Sequence, residues 1–472
     1  MPDHRSLSEA FEQHPLFEDK TWKLSPEAWP LASHEVKELR AIGQACYEFY
    51  QAIELLYNRS RQDKNLLRNG SQKAPWVAHY LDRGKPRELI EHTNSRQLRS
   101  AGPVVIRPDL LLTEKGFALT EMDSIPGGIG LTAFLNTLYG CEDKGCQVLG
   151  LERMIDSFYE AVSAVSEKAL PLVAILVSDE AATYRPEMDW LAEQLQSRGL
   201  RVYALHTSEI IPLGDQLCIN VDGNPEVVDV IYRFWELFDL PNIPEMPYIF
   251  NALEQGTVKV TPPMRHIHEE KMNLAFFHHP RLQEFWRENL SKKAFKTLKK
   301  IIPKTWIMDP VELPPNAFLD GPQVGNQPIW DWNQLKEASQ KERNLILKIS
   351  GFHETAWGAR SIIFGSDASR PEWSDGIDEA LALAPTNPYI VQEYEKPRRM
   401  THPLYAEDNP DDNTVYPMQG RVRLCPYYFV RDTQAELTGV LATFCPADKK
   451  IIHGMRDAAL VPCKEIVAPQ PK

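Results

Sequence analysis

The chain lacks the marks of several protein classes. It has no apolar run long enough to span a membrane, and its opening, MPDHRSLSEAFEQHP, has no apolar stretch of the kind a secretion signal needs. Cysteine is scarce: seven residues, scattered at 46, 141, 146, 218, 425, 445 and 463. An odd, dispersed set is not a disulfide framework, so a reduced, cytoplasmic setting is expected. Cys141 and Cys146 flank Glu142-Asp143-Lys144-Gly145, which is not zinc-ribbon spacing. No Walker A pattern occurs, no glycine-rich dinucleotide fingerprint follows Val177, and no repeat or low-complexity tract is present. Positive charge is in deficit, with 52 Lys and Arg against 65 Asp and Glu. A net charge of −13 argues against nucleic-acid binding. It leaves room for an anionic ligand held by a few local cations.

What is present is a soluble composition, 43% hydrophobic and 25% charged over 472 residues, enough for two or three packed units. The most informative stretch is Arg107 to Gly130, RPDLLLTEKGFALTEMDSIPGGIG. It reads as strands Val104–Leu112 and Phe117–Glu121 joined by the turn Glu114-Lys115-Gly116. That hairpin carries Asp109 on its first strand and Glu121 and Asp123 at the end of its second. Three carboxylates at one end suit a hard cation such as Mg²⁺. The alternative is an exposed hairpin with acids on a solvated face.

Around it, residues 1 to about 100 read mainly as helix, with apolar residues at helical spacing over Ser33–Arg61 and a second helix opening after Pro86. Helices are expected at Leu131–Leu138 and Met154–Leu170. The run Leu172–Val177 then begins a strand–helix–strand rhythm through Pro186–Arg198, Leu200–Leu205 and Val227–Ile231, a small α/β layer. Tyr232-Arg233-Phe234-Trp235-Glu236 ends that layer, its Arg–Glu pair being either a packed structural pair or a substrate contact. His266, His268, His278 and His279 lack metal-site spacing and read as surface or capping residues. A helix starts near Lys271. Strand Leu345–Ile349 carries Lys348 among apolar neighbours, a loop with two glycines follows over Ser350–Gly358, and strand Ala359–Phe364 returns. A lysine on a rigid strand beside such a loop is suited to clamping a triphosphate; the same lysine could instead reach solvent. A helix at Asp375–Leu383 and the run Pro388-Tyr389-Ile390-Val391-Gln392-Glu393-Tyr394 come next. Strands are expected at Arg421–Val430, Glu436–Phe444 and Ile451–Val461, with Arg421 and Arg423 on one face.

Arg107-x-Asp109, followed by Glu121 and Asp123, resembles the metal-binding segment of glutathionylspermidine synthase and its circularly permuted ATP-grasp relatives. The resemblance extends to Glu270-Lys271, Ile302-Pro303-Lys304-Thr305, the lysine strand and Ile390-Val391-Gln392-Glu393-Tyr394. The acidic hairpin precedes the lysine strand, and this order is the sign of the permuted subgroup. The fold so implied is α/β (α+β): a circularly permuted ATP-grasp core with a pre-ATP-grasp α/β layer and a helical N-terminal extension. Its segments would be the extension at 1–100, the hairpin part of the core at 101–170 and the α/β layer at 171–262. A further core segment would span 263–344, the lid 345–397 and the core strands 398–472. The implied function is an ATP-dependent carboxylate–amine ligase working through an acyl phosphate and releasing ADP and phosphate. An inactive ATP-binding sensor or scaffold is the alternative. The resemblance implies Asp109, Glu121 and Asp123 as Mg²⁺ ligands, Asp123 standing where the family has asparagine. It further implies Lys271 and Lys348 at the phosphates of ATP, Gln392 and Glu393 at adenine, and Arg107 as the catalytic cation facing the acyl phosphate. The partners expected are a small-molecule carboxylate and an amine, with no nucleic acid and no membrane.

Overall fold

The computed structural model describes residues 2–18, 20–95, 102–123, 125–140, 146–151, 153–358, 360–406, 411–449, 451–452, 454 and 457–466, the side chains of 146 and 147 excepted. The chain forms two compact units, one from Met1–Tyr47, Ala101–Met264 and Pro397–Lys472, the other from Glu48–Ser100 and Arg265–Lys396. Among the described residues no helix is long and apolar enough to cross a membrane.

The first unit is built on a long sheet. Its strands run in the order Trp29–Ala32, Ala459–Ile466, Gln434–Pro446, Val415–Arg431, Val105–Thr113 and Gly116–Asp123, with Met400–Tyr405 and Cys146–Val148 joining from the side. The expected hairpin forms its end, and the strand Trp29–Ala32 lies within the region read as mainly helical. The last strand lies at Ala459–Ile466 rather than Ile451–Val461. There it pairs parallel with Trp29–Ala32 and antiparallel with Gln434–Pro446 and Cys146–Val148. A second sheet of four parallel strands, in the order Lys259–Thr261, Val230–Phe234, Val173–Val177 and Val202–His206, is the α/β layer read from the sequence. Val173–Val177 is wholly buried, as a continuous apolar run requires. Between its strands the chain adds a small antiparallel sheet, Ile211–Leu213, Gln216–Val221 and Asn224–Val227, which the sequence reading did not anticipate.

The second unit holds an antiparallel sheet in the order Thr305–Met308, Tyr389–Glu393, Leu345–Ile349 and Ile363–Phe364. Alternation divides its faces. Leu345, Leu347 and Ile349 enter a core with Trp306, Met308, Trp332, Trp373, Ile377, Tyr389 and Val391, so Ile346 and Lys348 fall on the other face. The helix Arg370–Leu383 packs on the core side. Its start is fixed by a capping box, in which Ser369 accepts from Glu372 N and the Glu372 side chain bonds back to Ser369 N. The returning strand is short, Ile363–Phe364, and pairs with Leu347 and Ile346; Ala359 lies outside the described residues.

Candidate functional site

In the first unit the hairpin register places Arg107 opposite Asp123 and Asp109 opposite Glu121. Opposed residues of an antiparallel pair share a face, as do residues two apart on one strand. All four side chains therefore stand together. The adjoining strand Val415–Arg431 adds Arg423 and Cys425. Arg423 Nη1 donates to Asp109 Oδ2 at 2.8 Å, Cys425 Sγ donates to Asp109 Oδ1 at 3.3 Å, and Arg107 Nη2 lies 3.4 Å from that same oxygen. Arg107 also pairs with Asp123. Burial raises the Asp123 carboxyl above its ordinary value; Arg107 pulls it down, and Asp109 and Glu121 push it up again. The Cys425 thiol is pushed up to about 12, first by burial and then by Asp109. Of the two arginines expected on one face of this strand, Arg423 belongs to this group, whereas Arg421 donates to Lys449 O at 3.3 Å.

The loop after the hairpin is shaped by the same residues. Asp123 Oδ1 accepts from Ile125 N at 3.0 Å, and the Gly127 carbonyl accepts from Arg107 Nη1 at 3.0 Å and from the Tyr427 hydroxyl at 2.8 Å. Gly128 has a φ of 84° and caps the helix Ile129–Leu138. A Cβ there would stand 2.5 Å from the Tyr427 hydroxyl, so only glycine fits. Its N–H donates to Glu187 Oε1 at 2.6 Å. Burial raises the Glu187 carboxyl to about 7 against the pull of the Gly128 and Leu131 amides. Sequence reasoning missed Glu187, Tyr184, Tyr427 and Cys425. Glu187, Tyr427 and Tyr184, whose ring stands against Gly127, reach the loop, and Cys425 reaches Asp109, all from distant strands and helices that no fixed spacing marks. Arg233, read as half of an Arg–Glu pair, is fully buried and donates to the carbonyls of Pro262, Trp235 and Pro263.

In the second unit Lys348 is 3% exposed on the face of its strand away from the core, and Lys271 immediately precedes the helix Met272–His278. Lys271 Nζ donates to the Ala356 carbonyl at 2.6 Å, across the loop that follows Lys348. Gln392 is 1% exposed, and its side chain donates to Thr305 Oγ1 at 3.0 Å. The N–H groups of Glu393 and Tyr394 donate to Lys304 O and Asn344 O at 2.8 and 3.0 Å, and the Glu393 side chain is exposed. His266 and His268 are not surface residues as expected. They are 1% and 5% exposed, His266 lying 2.9 Å from Asp82 and His268 2.8 Å from Glu54. Carboxylates from a distant part of the sequence compensate them. His279 does cap, accepting from Arg281 N at 3.2 Å.

Superposition on solved structures places this architecture. A glutathione synthetase-like effector from Globodera pallida, in its apo form, matches with a TM-score of 0.56 at 11% identity, over 98% of this chain and 96% of that one. The two chains share a fold. A candidate gamma-glutamylcysteine synthetase from Methylobacillus flagellatus matches with a TM-score of 0.43 at 11% identity, over 87% and 86%. No family model and no curated protein sequence matches the chain.

The candidate magnesium ligands lie on the acidic hairpin. Its donors are carboxylate oxygens, the right chemistry for a hard cation. Among the described residues, however, no group of three His, Cys, Asp or Glu side chains stands ready to hold a metal ion. Arg107 and Arg423 already engage Asp109 and Asp123. Both arginines also keep a buried Nε with no hydrogen-bond acceptor. The donor set fits magnesium that arrives with phosphate oxygens, the usual way proteins bind it. It does not form an all-protein cage.

Proposed function

We propose that the chain is an ATP-dependent ligase that joins a small-molecule carboxylate to an amine, on a circularly permuted ATP-grasp core related to that of glutathionylspermidine synthase. The observation that carries the reading is the hairpin register that gathers Arg107, Asp109, Glu121 and Asp123 on one face. The fold shared with a glutathione synthetase-like protein over nearly the whole of both chains supports it.

In this reading Lys271 and Lys348 hold the phosphates of ATP, Gln392 and Glu393 border adenine, and Asp109, Glu121 and Asp123 hold Mg²⁺. Bound magnesium supplies neutralisation of phosphate charge. The carboxylate takes the γ-phosphoryl group to give an acyl phosphate and ADP, and the amine then displaces phosphate. Phosphoryl transfer asks a protein chiefly for positioning and charge compensation. Arg107 faces the acyl phosphate. Its guanidinium is held above its ordinary value although burial opposes this, because Asp123 and Asp109 outweigh burial, so it stays charged throughout. Cys46, Cys218, Cys425 and Cys463 are buried and form no disulfide; the reduced, cytoplasmic setting is part of the same proposal.

A second reading, an ATP-binding sensor or scaffold without ligase chemistry, is favoured by one observation. Asp109 and Asp123 of the hairpin are closed by arginines, and Asp123 stands in place of asparagine. One experiment separates the two: ADP release with Mg·ATP over pooled carboxylates and amines, run on the wild type, Asp109→Asn and Lys348→Ala. Release from one pool that both variants abolish establishes the ligase. ATP binding with no release from any pool favours the sensor, and absence of ATP binding refutes both.

A further inference from the structure

The two phosphate-directed lysines of the second unit are tied together by a buried joint that the reading above does not use. Glu270, directly before Lys271, forms an ion pair with Lys85, and both side chains are 1% exposed. The other Glu270 oxygen accepts from the hydroxyl of Ser350, which lies two residues beyond Lys348. Ser350 has all its polar groups engaged. Its hydroxyl also accepts from Met272 N at 2.9 Å, its carbonyl accepts from Lys271 N at 3.0 Å, and its N–H donates to Pro388 O at 2.9 Å.

The next residues are pinned as closely. A Cβ on Gly351 would collide with the Glu269 carbonyl and stand 3.0 Å from the Glu270 carboxyl carbon, so the backbone can approach only because glycine is there. Phe352 is held at a φ of 49°, its carbonyl accepts from Asn387 Nδ2 at 3.1 Å, and the Lys85 ammonium lies 5.9 Å from its ring centroid.

A buried ion pair is a poor source of net stability, because desolvating two charges consumes most of their attraction. Its use lies in fixing geometry. We propose that Lys85, Glu270 and Ser350 are positioning residues that lock the root of the loop Ser350–Gly358 to the start of the helix Met272–His278. The joint sets the separation of Lys271 and Lys348, so that both ammonium groups meet one polyphosphate. The inference rests on the ATP-binding reading.

The test compares the affinities of Mg·ATP and of adenosine, by calorimetry, in the wild type, in Ser350→Ala and in the neutral double replacement of Lys85→Met with Glu270→Gln. The double variant leaves no unpaired buried charge and guards against a folding failure of either single change. Breaking a hydrogen bond to a charged group within the joint is expected to weaken ATP binding by about tenfold or more. Adenosine affinity stays unchanged, and the backbone amides of the loop exchange faster with deuterium. A general structural defect would lower both affinities together, and that result overturns the proposal. ATP binding equal in wild type and variants overturns the proposal alone, whereas absence of ATP binding by the wild type overturns the ligase reading and the proposal with it.

Discussion

Glu187 gives a pH-dependent prediction whose sign and size follow from its surroundings. Glu187 is 7% exposed, and burial moves its carboxyl from 4.5 to about 7 while the Gly128 and Leu131 amides hold it back. The unfolded chain therefore loses this proton first. Stability from the neutral form is complete below about 4.5 and is lost as pH rises through about 7. At about 1.4 kcal/mol per unit of pKa difference, the loss between about pH 5 and about pH 8 is about 2.5 kcal/mol. His92 and His402 run the other way: burial lowers both to about 4, so their contribution rises as pH climbs from about 4 towards 6.5. The raw pH profile is a sum of these, and only a difference isolates Glu187. Glu187→Gln retains an oxygen for the Gly128 N–H and cannot ionise. Urea unfolding of both proteins should show the variant gaining about 2.5 kcal/mol on the wild type between about pH 5 and about pH 8. A difference that stays flat across that range would refute the argument.

The remaining predictions concern the same end of the long sheet. Gly128→Ala forces a side chain into the left-handed region against the Tyr427 hydroxyl, and should cost about 2 kcal/mol or more in urea unfolding. Adding Tyr427→Phe removes that oxygen and should restore part of the loss; no recovery would place the cost wholly in the backbone. Arg423→Met leaves Asp109 without its 2.8 Å partner and should destabilise by about 3 kcal/mol, while Asp109→Asn with Arg423→Met should cost clearly less than the two single changes added together. Strict additivity would mean that the pair is not coupled.

Much of the fold was legible because its signals are local. The helix Ser33–Arg61 is marked by apolar residues at helical spacing along its whole length, and the structure begins and ends it at those residues. The hairpin was legible from its turn and the Lys348 strand from its apolar run, whereas the division of that strand into two faces shows only in the core it builds. The strands missed are those that local pattern does not define. Ile211–Leu213, Gln216–Val221 and Asn224–Val227 are short and largely exposed, apart from the middle of Gln216–Val221, so no core face stamps a period on them. The final strand was misplaced because Ile451 and Ile452 read as its start, whereas pairing partners on both edges select Ala459–Ile466.

The candidate site divides along the same line. Residue types that carry charge at short spacing, such as Arg107 with Asp109 or Glu270 with Lys271, can be picked out from sequence, since strand and helix geometry fixes where they stand. Their compensation cannot. Asp109 is balanced by Arg423, His268 by Glu54 and Glu270 by Lys85, each partner lying far along the chain. A buried charge must find an opposite charge or a hydrogen bond somewhere, but the local pattern does not say where. This is why His266 and His268 were read as surface residues: an isolated histidine is cheapest in water, and only the approach of Asp82 and Glu54 makes burial tolerable. The acidic hairpin shows the converse. Its carboxylates read as open ligands because the arginine that neutralises Asp109 comes from a strand three hundred residues on. What the sequence displayed as free negative charge is, in the fold, a set of ion pairs with two unused guanidinium donors.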